Sequence, residues 1–349
     1  MPVSAHFSRI LVRATNWLGD AVMSLPALHA LRDRFPGAHL AVQAMPWVAD
    51  LYARETFLDQ VLPYTARRGA SDWMGKWRAG RQLRAGRFDC AILLANSFDS
   101  ALGAWLAGIP RRIGYQRDGR GWLLTDAIPP VRPGEIPRHE CFYYLELLRR
   151  SGILSGLPEG GSIQLEGAAQ ARVAGERRFA EMGIAGPVIG VSPGAAYGSA
   201  KRWPPDQFAE AAARVAAATG ATVAVFGSRD ERPVAELVID DLRTRHVAAR
   251  NFAGETTLGE FIDLAAACRL FLTNDSGAMH VASALGVPTV AVFGATDHEA
   301  TGPLGPRARV VREPVECSPC LSRECPIDHR CMTRVSAERV AAEALELLK

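Results

Sequence analysis

The chain has 349 residues, enough for two domains of ordinary size, and its 48% hydrophobic and 22% charged residues give the balance of a water-soluble globular protein. A net charge of +3 is too small to indicate nucleic-acid binding. No run approaches the ~18 apolar residues of a membrane span, and the N-terminus MPVSAHFSRILVRATNW lacks the basic-then-apolar layout of a signal peptide, so a cytoplasmic location is expected.

Strand and helix patterns alternate along the chain. RILVRA (9–14) reads as a buried strand, and apolar residues at 22, 25, 28 and 31 predict one helix over 19–34. Asp20 falls at or beside the start of that helix. It is either an N-cap or a general base facing a ligand. AHLAVQA (38–44) is the next strand. A basic stretch follows, with Arg67, Arg68, Lys76, Arg78, Arg81, Arg84 and Arg87 around a single acid, Asp72. A second basic group stands at Arg111, Arg112, Arg117 and Arg120. These form either a solvated helix surface or a face for an anionic partner. FDCAILL (88–94) is a strand that runs into the turn-rich ANSFDS.

The loose Gly/Ser/Pro segment SGILSGLPEGGSIQLEG separates two series of elements, giving domains at 1–165 and 166–335. In the second series PVIGVSP (187–193), ATVAVFG (221–227), RLFLT (269–273) and PTVAVFG (288–294) read as strands. Helices follow KRWPPDQ, the capping box Thr257–Glu260, and Ser276. The last helix, 336–349 with Ser336 as cap, is expected to pack back on the first domain. The alternation implies two doubly wound α/β domains with parallel sheets.

In such sheets ligands sit beyond the carboxyl ends of the strands. In NDSGAMH (274–280) a strand becomes a helix at Asp275-Ser276-Gly277. Free amides and the helix dipole there suit a phosphate, Asp275 suits sugar hydroxyls, and His280 lies one turn on. SPGAAYGSAKRWP (192–204) adds Gly194, Ala195, Ala196, Tyr197 and Lys201, and FGSRDE (226–231) adds Ser228 and Glu231. Together these strand ends point to a phosphorylated ligand, most simply a nucleotide. Neither G-x-G-x-x-G nor G-x-x-x-x-G-K-[ST] is present.

Five stretches carry a family resemblance: WLGDAVMSLPAL (17–28), NSFDSALGAWLAGIPRRIGY (96–115), PGAAYGSAKRWP (193–204), NFAGETTLGEFIDLAAAC (251–268) and TNDSGAMHVASALGVPTVAVFG (273–294). Over nearly its whole length the chain resembles the lipopolysaccharide heptosyltransferases of glycosyltransferase family 9, and more narrowly their second-heptose branch. The resemblance implies a GT-B fold, two Rossmann-like domains facing a central cleft. It implies inverting transfer of L-glycero-D-manno-heptose from ADP-heptose to the first heptose of the Kdo–lipid A inner core, with another core position as the alternative. By motif Asp20 becomes the base, Lys201 with Ser276 and Gly277 the diphosphate site, Asp275 the heptose ligand, and Gly254 to Thr256 the adenine pocket. Asn16, Trp17, Asn96 and Ser97 fall to the acceptor, while charge adds Arg117, Arg120 and the first arginine group. Peripheral contact with the inner membrane is expected and nucleic acid is not. No D-x-D pair stands at a strand end, so no catalytic metal is expected, with magnesium stimulating through ADP at most. A nucleotide-sugar epimerase or a non-catalytic nucleotide-binding module are the competing readings.

Cys317-x2-Cys320-x4-Cys325-x5-Cys331, with His329 beside them, read as a structural zinc site, as reduced or redox-active thiols, or as disulfides. Cys90, Cys141 and Cys268 read as small core residues.

Overall fold

The computed structural model describes residues 6–64, 72–158 and 161–349. It divides into two compact units, Met1–Gly160 and Gly161–Lys349, and the division falls inside the Gly/Ser/Pro segment.

In the first unit six strands form one parallel sheet: β1 (Arg9–Arg13), β2 (His39–Ala44), β3 (Gln60–Pro63), β4 (Cys90–Leu93), β5 (Arg111–Tyr115) and β6 (Asp126–Ile128). Their spatial order is β3-β2-β1-β4-β5-β6. Strands β1 and β4 lie side by side, Ile10 opposite Cys90, and are almost wholly buried. Burial on both faces explains their unbroken apolar runs. The helices are α1 (Leu18–Met23), α2 (Leu25–Arg34), α3 (Pro46–Tyr52), α4 (Trp73–Ala85), α5 (Phe98–Leu106) and α6 (Cys141–Arg150). The single helix expected over 19–34 is thus two. Pro26 has no N–H to give to Val22, and Ser24 sits at the break with its hydroxyl donating to the Ala21 carbonyl at 2.8 Å.

The second unit repeats the plan with β7 (Val188–Ser192), β8 (Thr222–Val225), β9 (Ala249–Asn251), β10 (Leu270–Asn274), β11 (Thr289–Phe293) and β12 (Ala308–Arg312), in the order β12-β11-β10-β7-β8-β9. Its helices are α7 (Ala168–Glu181), α8 (Pro205–Thr219), α9 (Arg232–Thr244), α10 (Leu258–Ala266), α11 (Gly277–Ala284), α12 (His298–Thr301), α13 (Arg330–Thr333) and α14 (Ala337–Glu346). Ser336 caps α14 by accepting from the Arg339 N–H, as anticipated. The apolar face of α14, including Val340 and Ala344, is buried with Trp203, Phe208 and Val215 in the second unit's own core. The expectation that this helix returns to the first domain is therefore corrected: its apolar stripe is complementary to α8 beside it.

Each sheet has one point where the strand order reverses, between β1 and β4 in the first and between β7 and β10 in the second. Loops leaving the carboxyl ends there diverge to opposite sides and open a crevice, which is where ligands bind in this architecture. No helix among the described residues is long and apolar enough to cross a membrane.

Candidate functional site

At the reversal point of the first sheet lies a cavity of about 580 Å³. Thr15, Asn16, Trp17 and Asp20 border it after β1, and Leu94, Ala95 and Asn96 after β4. Arg117 and the segment from Val131 to Glu140 close it, with Tyr143 and Tyr144 of α6 at its wall. Asp20 stands in the first turn of α1, where Trp17 holds the cap position without a side-chain cap bond. The partner of Asp20 is distant in sequence: the Tyr144 hydroxyl donates to its Oδ1 at 2.8 Å. Burial, reinforced by the charge of Asp20, pushes Tyr144 well above its ordinary value, so the phenol keeps its proton and remains the donor. Behind it the buried Tyr52 is pushed up to about 12. One oxygen of Asp20 is thus oriented by a permanent donor.

The cavity brings together Asn16, Trp17, Asn96 and Arg117 with Asp20. Two expected members are elsewhere. Arg120 is fully buried and donates to the Tyr115 and Ala95 carbonyls, the Ser100 hydroxyl and Asn96 Oδ1. Burial pulls its value down to about 10, and its role is to knit the loops after β4 and β5. Ser97 is the N-cap residue of α5, its carbonyl taken by Ser100 and Arg120, and it does not line the cavity. Arg111 pairs with Asp126 at 3.0 Å, and Arg112 donates to the Leu123 carbonyl at 2.7 Å. Arg67 and Arg68 lie outside the described residues.

Sequence reasoning missed VRPGEIPRHE (131–140), which adds Arg132, Arg138, His139 and Glu140 to the wall. Bases and an acid set between prolines just ahead of a helix were the available signal. Burial raises the Glu140 carboxyl, and the negative Asp20 raises it further.

At the second reversal point Lys201 Nζ meets Asp275 Oδ2 at 2.6 Å, and the Thr296 hydroxyl donates to the same oxygen at 2.6 Å. The Asp275 side chain is 5% exposed and that of Lys201 13%. Asp275 first of all positions Lys201, and only its Oδ1 is left to face a sugar. The Lys201 ammonium also sits 5.0 Å from the Tyr197 ring centroid. Ser276 caps α11 by accepting from Met279 N–H at 3.4 Å, and Gly277 is the first helical residue. His280, expected to reach the same ligand, lies one turn on in α11 and is 5% exposed.

Asn274, also missed, is fully buried: its amide donates to the Pro193 carbonyl and its Oδ1 accepts from the Trp203 N–H. It staples both ends of the Lys201 loop to β10. Within that loop Ala195 is buried, while Ala196 and Tyr197 are exposed. Gly194 is needed for close approach, since a Cβ there would stand 2.2 Å from Glu231 Oε1. Glu231 Oε2 accepts from the Ser228 N–H at 2.8 Å, so this pair is committed to the turn after β8. Gly254, at φ +75, packs on the backbone of Arg229, with Thr256 half-buried beside it.

All seven cysteines are free thiols. Burial raises Cys90, Cys141 and Cys268, as core residues should be. Among the described residues no three His, Cys, Asp or Glu side chains gather as metal ligands would. Cys331 is buried, Cys320 exposed, and Cys317 and Cys325 half-buried. The disulfide reading of these four is therefore corrected; the segment holds them as free thiols at different depths. Its backbone instead braces the strand ends, with Ala200 N–H donating to the Arg323 carbonyl and Leu321 N–H to that of Ala295.

Comparison with known proteins agrees with this anatomy. Lipopolysaccharide heptosyltransferase 2 of Escherichia coli is 35% identical over 87% of this chain and 88% of its own length. Lipooligosaccharide heptosyltransferase 2 of Haemophilus influenzae is 32% identical over the same shares. The solved structure of Escherichia coli ADP-heptose lps heptosyltransferase II superposes with a TM-score of 0.83 at 31% identity, covering 97% of this chain and 98% of that one. Residues 76–330 match the model of glycosyltransferase family 9 (heptosyltransferase), and the chain belongs to that family.

Proposed function

We propose that the chain is the inverting glycosyltransferase that moves L-glycero-D-manno-heptose from ADP-heptose to the first heptose of the lipopolysaccharide inner core. The observation that carries this reading is Asp20 in the first cavity, held through one oxygen by Tyr144. Three arginines, Arg117, Arg132 and Arg138, line the same cavity and suit an acidic, phosphorylated saccharide. The Asp20 carboxylate accepts the proton of the acceptor hydroxyl. The acceptor oxygen then bonds to the anomeric carbon of the donor as the bond to the β-phosphate breaks, which inverts that carbon in a single displacement.

The second unit supports the donor side. An ammonium has three donors, and one N–H of Lys201 is fixed by Asp275. Two remain for a diphosphate, beside the N–H groups that open α11. These groups meet the charge that grows on the departing ADP. Asp275 Oδ1 takes a heptose hydroxyl, and the Gly254–Thr256 turn borders the adenine. Because the chain supplies this cation itself, turnover needs no metal, and magnesium acts only by pairing with ADP. The acceptor is lipid-linked, which places the enzyme in the cytoplasm at the inner membrane.

The test is to incubate ADP-heptose with mono-heptosylated and with heptose-free inner core and weigh the products. Addition of one heptose to the first acceptor alone is expected. Extension of the heptose-free acceptor instead reassigns the step to the first core heptose. Intact donor with both acceptors overturns the transferase reading.

A further inference from the structure

Tryptophan is usually buried over most of its area. The six in the first unit are not, and four of them, Trp73, Trp77, Trp105 and Trp122, are between 45% and 68% exposed, with Met74, Phe98 and Leu106 exposed beside them. They belong to one face. Helices α4 and α5 pack together, with Gly80 of α4 against Leu106 of α5. The Trp122 ring lies 6.2 Å from both Phe98 and Trp105 of α5. On α4 the buried side is Ala79, Gly80 and Leu83. The outer side carries Trp73 and Trp77 one turn apart, then Arg78, Arg81 and Arg84, with Arg81 over the Trp77 ring.

The charge on this face is one-sided. Helix α4 contains no acid. The two acids nearest it are engaged, Asp72 capping α4 through the Gly75 N–H and Asp99 pairing with Lys76 at 2.6 Å. Arg78, Arg81 and Arg84 form no ion pair among the described residues. Indole rings beside unpaired guanidinium groups are the composition of a surface that sits in the headgroup layer of an anionic bilayer. A two-fold contact with a second copy would set these arginines against each other.

We infer that the outer face of α4, α5 and Trp122 docks the enzyme on an anionic lipid surface, with the tryptophans entering the headgroup layer and the arginines meeting lipid phosphates. The inference rests on the proposed use of a lipid-linked acceptor, whose cavity belongs to the same unit. No residue of this face lines that cavity.

The experiment is sedimentation of the full chain with vesicles of phosphatidylcholine and of phosphatidylcholine mixed with phosphatidylglycerol. Binding to the anionic vesicles, weakened by salt and accompanied by a blue shift of tryptophan emission, is expected. Two independent variants follow. R78Q/R81Q/R84Q lowers partitioning about a hundredfold, and W73S/W77S/W122S at least tenfold. Both keep wild-type turnover on a water-soluble heptosylated acceptor and lose it on the same acceptor embedded in vesicles. Wild-type protein that ignores anionic vesicles, or variants that bind them equally, overturns the docking face. A dimer without lipid that either variant dissolves also overturns it, by making the face a self-association surface. Wild-type protein that binds vesicles yet leaves the soluble acceptor untouched refutes the proposed transfer and leaves the docking face standing.

Discussion

The two units share one strand order and treat tryptophan in opposite ways. All six tryptophans of the first unit lie at its surface, the least exposed of them at 45%, whereas Trp203 of the second is wholly buried. Trp203 donates its indole N–H to the Val335 carbonyl at 2.9 Å, receives Phe208 edge-on at 4.8 Å, and is tied to Asn274 through its backbone. It joins the Lys201 loop to the sheet and to the start of α14. The same contrast holds for charge. Lys201 and Asp275 are locked in a nearly closed pair, while Asp20 shares its cavity with Arg117, Arg132 and Arg138. A common frame thus supports a second unit fixed in advance around its ligand groups and a first unit that keeps contact surface in reserve.

The strongest way to break this contrast is Asp20→Asn. Turnover should fall about 10³-fold, roughly 4 kcal/mol of barrier, with ADP binding unchanged by calorimetry. A loss below tenfold removes Asp20 from the chemistry. Next, Trp203→Ala should cost about 3–5 kcal/mol of unfolding free energy in denaturant melts, against within ~0.5 for Trp73→Ala. Equal costs would end the comparison. Lys201→Ala should then reduce kcat/KM for ADP-heptose about 10²-fold, through donor and leaving-group contacts. Lys201→Arg should recover only part, because the fork geometry differs from an ammonium. An unchanged donor KM and kcat would put the diphosphate elsewhere.

The smallest effect concerns Glu140. Its native value is raised above the ordinary 4.5, so the folded state binds the proton more tightly than the unfolded state. Stability is therefore lost as pH rises from the unfolded value through the native one, and Glu140→Gln escapes that loss. Its melting temperature should exceed that of wild type by a margin that grows from acid to neutral pH. A margin independent of pH would mean the carboxyl is not desolvated.

Much of this was legible in the sequence, and the reasons differ by region. The central strands were visible because burial on both faces demands unbroken apolar runs such as RILVR and FLT. The edge strands β3 and β9 were not, since QVLP and ARN are short and half-exposed and so carry no such run. Asp20, Lys201 and Ser276-Gly277 could be singled out as candidates because they stand just past strand ends, which the apolar runs locate. Arg120 was misjudged because charge alone does not reveal whether carbonyls surround a guanidinium. Tyr144 could not be foreseen as the partner of Asp20, since the contact spans 124 positions.

The brace between the cysteine-bearing segment and the Lys201 loop bears on how this protein can be recombined. A Cβ on Gly198 would come within 2.1 Å of the Arg323 carbonyl, and His329 reaches the Ala200 carbonyl at 2.9 Å. Two stretches more than a hundred positions apart are thus cut to each other's shape. A chimaera with a relative that exchanges 194–201 should therefore melt lower than one in which 317–331 is exchanged as well.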